Sequence, residues 1–259
     1  MSARRWPHGR NVLVGMSGAP LPEGEAKVKA VRNLFDTIAP RYDLVNRVMT
    51  FGMDRGWRRR AVIALSLPPG DVVVDLACGT GDLCRDLATA GYRPLGVDFS
   101  LGMLTHARTS SPLVQGDVLA LPLPDGSLGG VVSGFALRNF ADLDRAFGEM
   151  ARVLRPGGRL SLLDVGQPER TVLRIGHGVY FGHVVPKIGA VLSDGDAYRY
   201  LPRSVAYLPP PARLMGQLEA AGFTDVERRL LSAGITQLYT ATRKEIRTRK
   251  EIRTRKEAR

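Results

Sequence analysis

Between Glu25 and Leu65 apolar residues recur at intervals of three and four, which predicts helices over Glu25 to Ile38 and Met53 to Leu65, with a shorter amphipathic piece, Tyr42 to Thr50, between them. The pattern then changes. Short β-rich runs appear at Asp71 to Leu76, Pro94 to Asp98, Leu113 to Gly116, Leu128 to Ser133 and Arg159 to Asp164, mostly separated by helical segments. Such alternation predicts an α/β domain, a doubly wound, Rossmann-like, mostly parallel sheet covered on both faces. Leu208 to Ala221 reads as a further helix that Gly222 ends, and Phe223 to Leu230 with Ile235 to Thr242 as a closing antiparallel hairpin, for seven strands in all. The long stretch from Gly166 to Tyr207, rich in Tyr, Gly and His, is expected to be a helical cover over the substrate.

With 259 residues and 44% apolar content, the chain suits one large domain with tails. The expected division is an N-terminal extension 1–22, a domain 23–242 with 166–207 as its cover insertion, and a tail 243–259. Met16 is a candidate natural start alongside Met1. A membrane span needs about 18 uninterrupted apolar residues. The richest stretch, Thr171 to Leu192, is broken by Arg174, His177, His183, Pro186 and Lys187, and Asn11 to Gly15 is too short for the apolar centre of a signal peptide. A cytoplasmic protein is expected. Cys78 and Cys84 flank a glycine-rich turn and fit neither a disulfide framework nor a zinc pattern, so both are expected as reduced thiols.

The net charge of +12 would suggest nucleic acid if it were spread over a folded face. It is concentrated in the tails instead: nine basic against three acidic residues from Arg243 to Arg259, and three arginines before Gly15. No nucleic-acid partner is therefore expected. The tail repeats the hexapeptide Arg-Lys-Glu-Ile-Arg-Thr, a period that gives a helix no apolar stripe. It reads as a solvated segment, with a peripheral electrostatic contact to an anionic membrane surface left open. The oligomeric state is also open, a homodimer included.

The chemistry gathers after the first strand, where Asp75-Leu-Ala-Cys-Gly79-Thr80-Gly81-Asp82 turns directly into a helix. Gly79 and Gly81 let backbone approach a ligand, and the helix start offers free N–H groups. A dinucleotide fingerprint would place a third glycine where Cys84 stands. Asp75, Asp98 and Asp117 fall at or just beyond the carboxyl ends of strands one, two and three, the edge at which a doubly wound sheet binds ligands. Asp98 suits a ribose and Asp117 an adenine amino group. Asp75 would repel a pyrophosphate but suits an ammonium and a sulfonium, which S-adenosylmethionine carries without phosphate. Asp82 reads as a helix cap.

Several motifs resemble the ubiquinone/menaquinone biosynthesis C-methyltransferase family, most closely its demethylmenaquinone methyltransferase branch. They are Phe35-Asp-Thr-Ile-Ala-Pro-Arg-Tyr-Asp-Leu-Val-Asn46, the Asp75 to Asp82 turn, Leu137-Arg-Asn139, Val153-Leu-Arg-Pro-Gly-Gly158, Pro186-Lys-Ile-Gly189 and Tyr198-Arg-Tyr-Leu201. The resemblance covers roughly Ala26 to Thr242 and implies the class I methyltransferase fold. Carried across by position, its cofactor contacts fall on Thr80, Asp98, Asp117, Val118 and Gly134. There are departures: Gly134 stands where the family usually has serine, and Leu163-Asp164-Val165 where it usually has Glu-Phe-Ser.

The resemblance also implies methylation of a ring carbon on a prenylated quinol, most closely demethylmenaquinol to menaquinol. A neutral quinol with a pKa of about 10 is only about 0.1% ionised at pH 7, and a neighbouring cation lowers such a pKa by about 1 to 3. Arg138, just after strand four, is the expected stabiliser of the oxyanion, and Asn139 is expected to hold a water or the quinol oxygen. Tyr42, Tyr198 and Tyr200 are expected to line the ring pocket, and His177 stands in the cover as a further substrate-side candidate. His177 and His183 lack the four-residue spacing of paired helical metal ligands, and no catalytic metal is expected. A methyltransferase for another small molecule, and a non-catalytic cofactor-binding protein, remain as alternatives.

Overall fold

The computed structural model describes residues 23–166 and 203–245. The first helix, α1 (Gly24–Ile38), buries Val31, Leu34 and Ile38 along one stripe. A 3-10 turn at Ala39–Arg41 leads into α2 (Tyr42–Met49), and α3 (Asp54–Leu65) follows, with Trp57, Ala61, Val62 and Leu65 inward. The α/β alternation then runs β1 (Val72–Leu76), α4 (Asp82–Thr89), β2 (Arg93–Asp98), α5 (Leu101–Thr105), β3 (Leu113–Gln115), β4 (Leu128–Gly134), α6 (Leu143–Val153) and β5 (Leu154–Val165). After the cover insertion come α7 (Pro211–Ala220), β6 (Phe223–Leu231) and β7 (Thr236–Arg243).

The seven strands form one sheet in the order β3-β2-β1-β4-β5-β7-β6. All neighbouring pairs from β3 to β5 are parallel, while β7 runs antiparallel to both β5 and β6. The predicted doubly wound sheet and closing hairpin are therefore present. Consecutive side chains alternate between two cores, as pleating requires. Val74, Val131, Leu162 and Tyr239 pack with α6 and α7, while Val73, Val132, Leu163 and Leu238 pack with α3 and α4. A third, smaller core joins α1 and α2 to Met103 of α5.

Boundaries differ from the predicted ones for local reasons. The fifth strand reaches back to Leu154 because the Arg155–Gly158 turn, with Gly157 at φ +75°, is absorbed as an irregularity in its pairing with β4. Helix α7 starts only at Pro211, since the run Leu208 to Pro211 disfavours helical backbone before each proline. The expected cover falls almost wholly outside the described residues, as do the N-terminal extension and most of the basic tail. Among the described residues no helix is long and apolar enough to cross a membrane.

Because successive strands lie on opposite sides of β1, the carboxyl ends of β1 and β4 part and leave a crevice, the place where such sheets bind ligands. Each strand is followed at once by a non-glycine residue in left-handed backbone, Ala77 at φ +54° after β1 and Phe135 at φ +60° after β4. Such residues store about 1–3 kcal/mol each, and they mark where the chain is bent to shape a site. Ser133 ties the two strand ends together by donating its hydroxyl to the Leu76 carbonyl at 2.7 Å.

The close packing around β2 is testable. A methyl group at Gly96 would lie 2.5 Å from Leu113 Cδ2 and 2.8 Å from Cys78 Sγ. Gly96→Ala is therefore expected to lower the unfolding free energy by about 1–3 kcal/mol in urea titration. An unchanged value would show that these neighbours move aside freely.

Candidate active site

The crevice is a cleft of about 790 Å³, counting its open mouth. Its sheet edge supplies Gly79, Asp98, Asp117, Val118 and Gly134, and the turn after β4 supplies Phe135, Ala136, Asn139 and Phe140. The opposite wall is the N-terminal helices: Val28 and Phe35 from α1 and Tyr42 from α2. Phe35 meets Tyr42 edge to face, with ring centroids 6.0 Å apart.

Asp98 is the best-held acid in this cleft. Its Oδ2 accepts from the Gly79 N–H at 2.8 Å and its Oδ1 from the Ser100 N–H at 2.8 Å. Burial nevertheless pushes its carboxyl up to about 6, outweighing those two donors. Asp117 is half-buried and accepts from the Leu119 N–H at 2.9 Å, a local turn that still leaves it on the cavity wall. Gly134 takes part through its backbone. A Cβ there would lie 2.9 Å from Leu83 Cδ1, so the usual serine would need Leu83 to shift.

Three expected cofactor residues lie elsewhere. Asp75 is buried within the sheet and closed off from the cleft: Oδ2 accepts from the Cys84 thiol at 3.6 Å and Oδ1 has no partner. Burial pushes its pKa well up, so its expected role as a charge facing the ligand is corrected. Thr80 is also buried and outside the cavity lining, because its hydroxyl donates to Asp43 of α2 at 2.5 Å. Gly81 is required by the turn: it sits at φ +82°, and a Cβ would stand 2.6 Å from Thr109. Asp82 does not cap α4, for which Gly81 is the cap residue. It pairs instead with Arg58 at 3.0 Å and with Arg85.

On the substrate side, Tyr42 and Asn139 do line the cleft. Arg138 does not. Its guanidinium binds the fully buried Asp164 at 2.5 Å and donates to Ser204 Oγ at 3.1 Å. The lone cation expected beside the quinol is therefore corrected to one held in a buried ion pair that fixes the Leu137–Asn139 turn. Asp164 belongs to the strand-five ending that departs from the family pattern. Tyr198, Tyr200 and His177 lie outside the described residues.

Two features left no readable trace in the sequence. Lys27 of α1 is buried, donates to the Phe140 carbonyl at 2.7 Å and lies over the Tyr207 ring at 3.9 Å. Its burial lowers its pKa to about 8. Asp36 of α1 accepts from Ser100 Oγ at 2.5 Å and from the Gly102 N–H at 2.9 Å. With the Asp43–Thr80 bond, this fastens the helical wall to both loops of the sheet edge.

The donor set fits S-adenosylmethionine. Among the described lining residues are two carboxylates, apolar walls including Val97, Phe99, Met103 and Leu119, and neither lysine nor arginine. A ribose diol can donate to Asp98, an adenine can lie between apolar side chains, and a sulfonium meets no opposing cation.

Comparison with known proteins agrees with this geometry. A model of the ubiE/COQ5 methyltransferase family matches residues 23–243. The demethylmenaquinone methyltransferase of Roseiflexus castenholzii is 40% identical, over 86% of this chain and 98% of its own. That of Thermus thermophilus is 42% identical, over 81% of this chain and 100% of its own. Among solved structures, an S-adenosylmethionine-dependent methyltransferase of Thermotoga maritima superposes with a TM-score of 0.59 at 22% identity, covering 82% of this chain and 99% of that one, a likeness of fold.

Asp98 must be ionised to accept both ribose hydroxyls, so its state sets a pH limb. Affinity for the cofactor is expected to be flat well above the Asp98 value of about 6 and to fall as pH drops through it. Asp98→Asn should weaken binding about tenfold to a hundredfold at neutral pH and abolish the limb. Calorimetry over that pH range checks both. An unaltered limb in the variant would assign it to another group.

Proposed function

The chain belongs to the ubiE/COQ5 methyltransferase family and is an S-adenosylmethionine-dependent methyltransferase; we propose that its substrate is a prenylated hydroquinone, methylated on a ring carbon in the conversion of demethylmenaquinol to menaquinol. The observation that carries this reading is the cleft itself. Among the described residues acids line the sheet edge without a lysine or arginine, Phe35 and Tyr42 face them from the helical wall, and Asn139 adds an amide from the turn after β4. Such a pairing suits a sulfonium on one side and a flat, weakly polar ring on the other.

S-adenosylmethionine supplies an electrophilic methyl group when bound. Asp98, held rigidly by Gly79 and Ser100, orients the adenosine end, and Asp117 with Val118 sets the adenine side. On the facing wall, burial raises the Tyr42 phenol, against the lowering effect of Arg138, so that it stays protonated at neutral pH and donates to the quinol oxygen. Asn139 offers a second donor. Two donors aimed at one oxygen favour its anion, and the charge passed to the ring carbon makes that carbon nucleophilic. Water accepts the hydroxyl proton. As the carbon–methyl bond forms the methyl–sulfur bond breaks to leave a neutral thioether, and the hydrogen on the methylated carbon then leaves as a proton to water, restoring the aromatic ring. Alignment of carbon and methyl removes much of the entropic cost of a two-body reaction. The Arg138–Asp164 pair acts behind this wall by fixing the turn that carries Asn139.

The direct test is methyl transfer from methyl-labelled cofactor to short-tailed demethylmenaquinol. Labelled menaquinol is expected; cofactor binding without turnover on that quinol would sink the substrate assignment. The role of the ion pair is tested separately. Arg138→Met leaves a buried carboxylate uncompensated and is expected to lose about 3–5 kcal/mol of stability, much of it regained in Arg138→Met/Asp164→Leu. The double variant should keep cofactor affinity and show a slower single-turnover rate. Full stability in the single variant would mean that the pair does not hold the turn.

A further inference from the structure

Helix α2 and the turn behind it carry an apolar edge that lies outside the cores formed by the described residues. Val45 and Met49 point into the small core. Leu44 and Val48, one turn apart, are 54% and 38% exposed, and Met53 continues the edge at 39%. These are three of the six large apolar side chains found exposed among the described residues, and they fall within ten positions of one another. A helix packed on one side would ordinarily present polar residues on the other.

The charges around this edge are of one sign. From Leu44 to Arg60 the exposed charged residues are Arg47, Arg55, Arg59 and Arg60. The acids of the region are engaged: Asp43 accepts from Thr80, and the buried Asp54 binds Arg58 and Thr50. Apolar side chains flanked by arginines, with the neighbouring carboxylates already paired, complement an anionic lipid surface, where the apolar tips enter the acyl boundary and the guanidinium groups meet phosphates. A second copy of the chain is a poorer match, since a two-fold contact would bring the same arginines face to face.

We propose that the α2 face is a docking surface for an anionic bilayer. The same helix carries Tyr42 into the cleft, so docking brings the cleft wall to the lipid. Taken with the prenylated-quinol reading, on which this last step rests, the substrate's apolar tail then need not leave the membrane for its ring to reach the site.

The experiment is co-sedimentation of the full chain with vesicles of phosphatidylglycerol and phosphatidylcholine, and of phosphatidylcholine alone, at low and high salt. Leu44→Ser/Val48→Ser is expected to bind mixed vesicles at least about tenfold more weakly, at both salt levels. Arg47→Gln/Arg55→Gln should lose about fivefold per arginine at low salt and little at high salt, where the basic tail is screened as well. Turnover on a short-tailed quinol should be unchanged in both, while turnover on a long-tailed quinol held in vesicles falls with binding. Unchanged vesicle binding by both variants overturns the proposal. A wild-type dimer that the serine variant splits, with no vesicle binding, assigns the face to a second copy. Lost thermal stability and short-tail turnover with vesicle binding retained assigns it to the chain's own 167–202 segment. If neither quinol is methylated yet vesicle binding follows the expected order, the docking surface stands and the substrate reading falls.

Discussion

Two backbone N–H groups, from Gly79 and Ser100, hold the carboxylate of Asp98 at 2.8 Å each in a place from which water is largely excluded. A buried anion is costly unless it is hydrogen-bonded, and here the donors come from two different loops, the turn after β1 and the approach to α5. The carboxylate therefore fixes those loops relative to each other, and the loops fix the rim of the crevice. Burial outweighs the two bonds and pushes the carboxyl up to about 6, so further donors would stabilise its ionised form. A ribose diol would supply them.

The remaining parts of the site are tied to this point by polar bonds across long sequence separations. Asp36 reaches Ser100 and Gly102, and Asp43 reaches Thr80, so each half of the N-terminal helical wall is bound to one of the loops that Asp98 joins. Lys27 binds the far end of the wall to the Phe140 carbonyl, beside the turn that Arg138 and Asp164 brace. The cleft is thus enclosed by one connected frame. A methyl transferred between a sulfonium and a carbon needs such a frame more than it needs a strong acid or base, because the demands are alignment and exclusion of competing nucleophiles.

Much of the fold was legible because it rests on periodicity. Val73 and Val74, or Leu162 and Leu163, face opposite cores, so the strands of the parallel sheet appear as continuous apolar runs between helical stretches. At the site, Gly79, Asp98 and Asp117 were legible as lining residues because position at a strand's carboxyl end determines access to the crevice, and Val118 through the family resemblance. Side-chain direction was not. Asp75 and Asp98 lie near the carboxyl ends of neighbouring strands, yet one turns toward Cys84 within the sheet and the other toward the cleft. Arg138 followed the right strand, but its partner lies 26 residues away on β5, a pairing that no local spacing announces. Ala77 and Phe135 adopt left-handed backbone that their residue types do not suggest.

The central claim is that the cleft selects its cofactor by acids unaccompanied by any lysine or arginine among its described lining residues, so that a sulfonium is accepted and a phosphate refused. Calorimetric titration of the protein with S-adenosylmethionine and, in parallel, with ADP-ribose compares the two charges on a shared adenosine. The account predicts saturable binding of S-adenosylmethionine and no measurable binding of ADP-ribose at neutral pH. Equal affinity for the two ligands would contradict it.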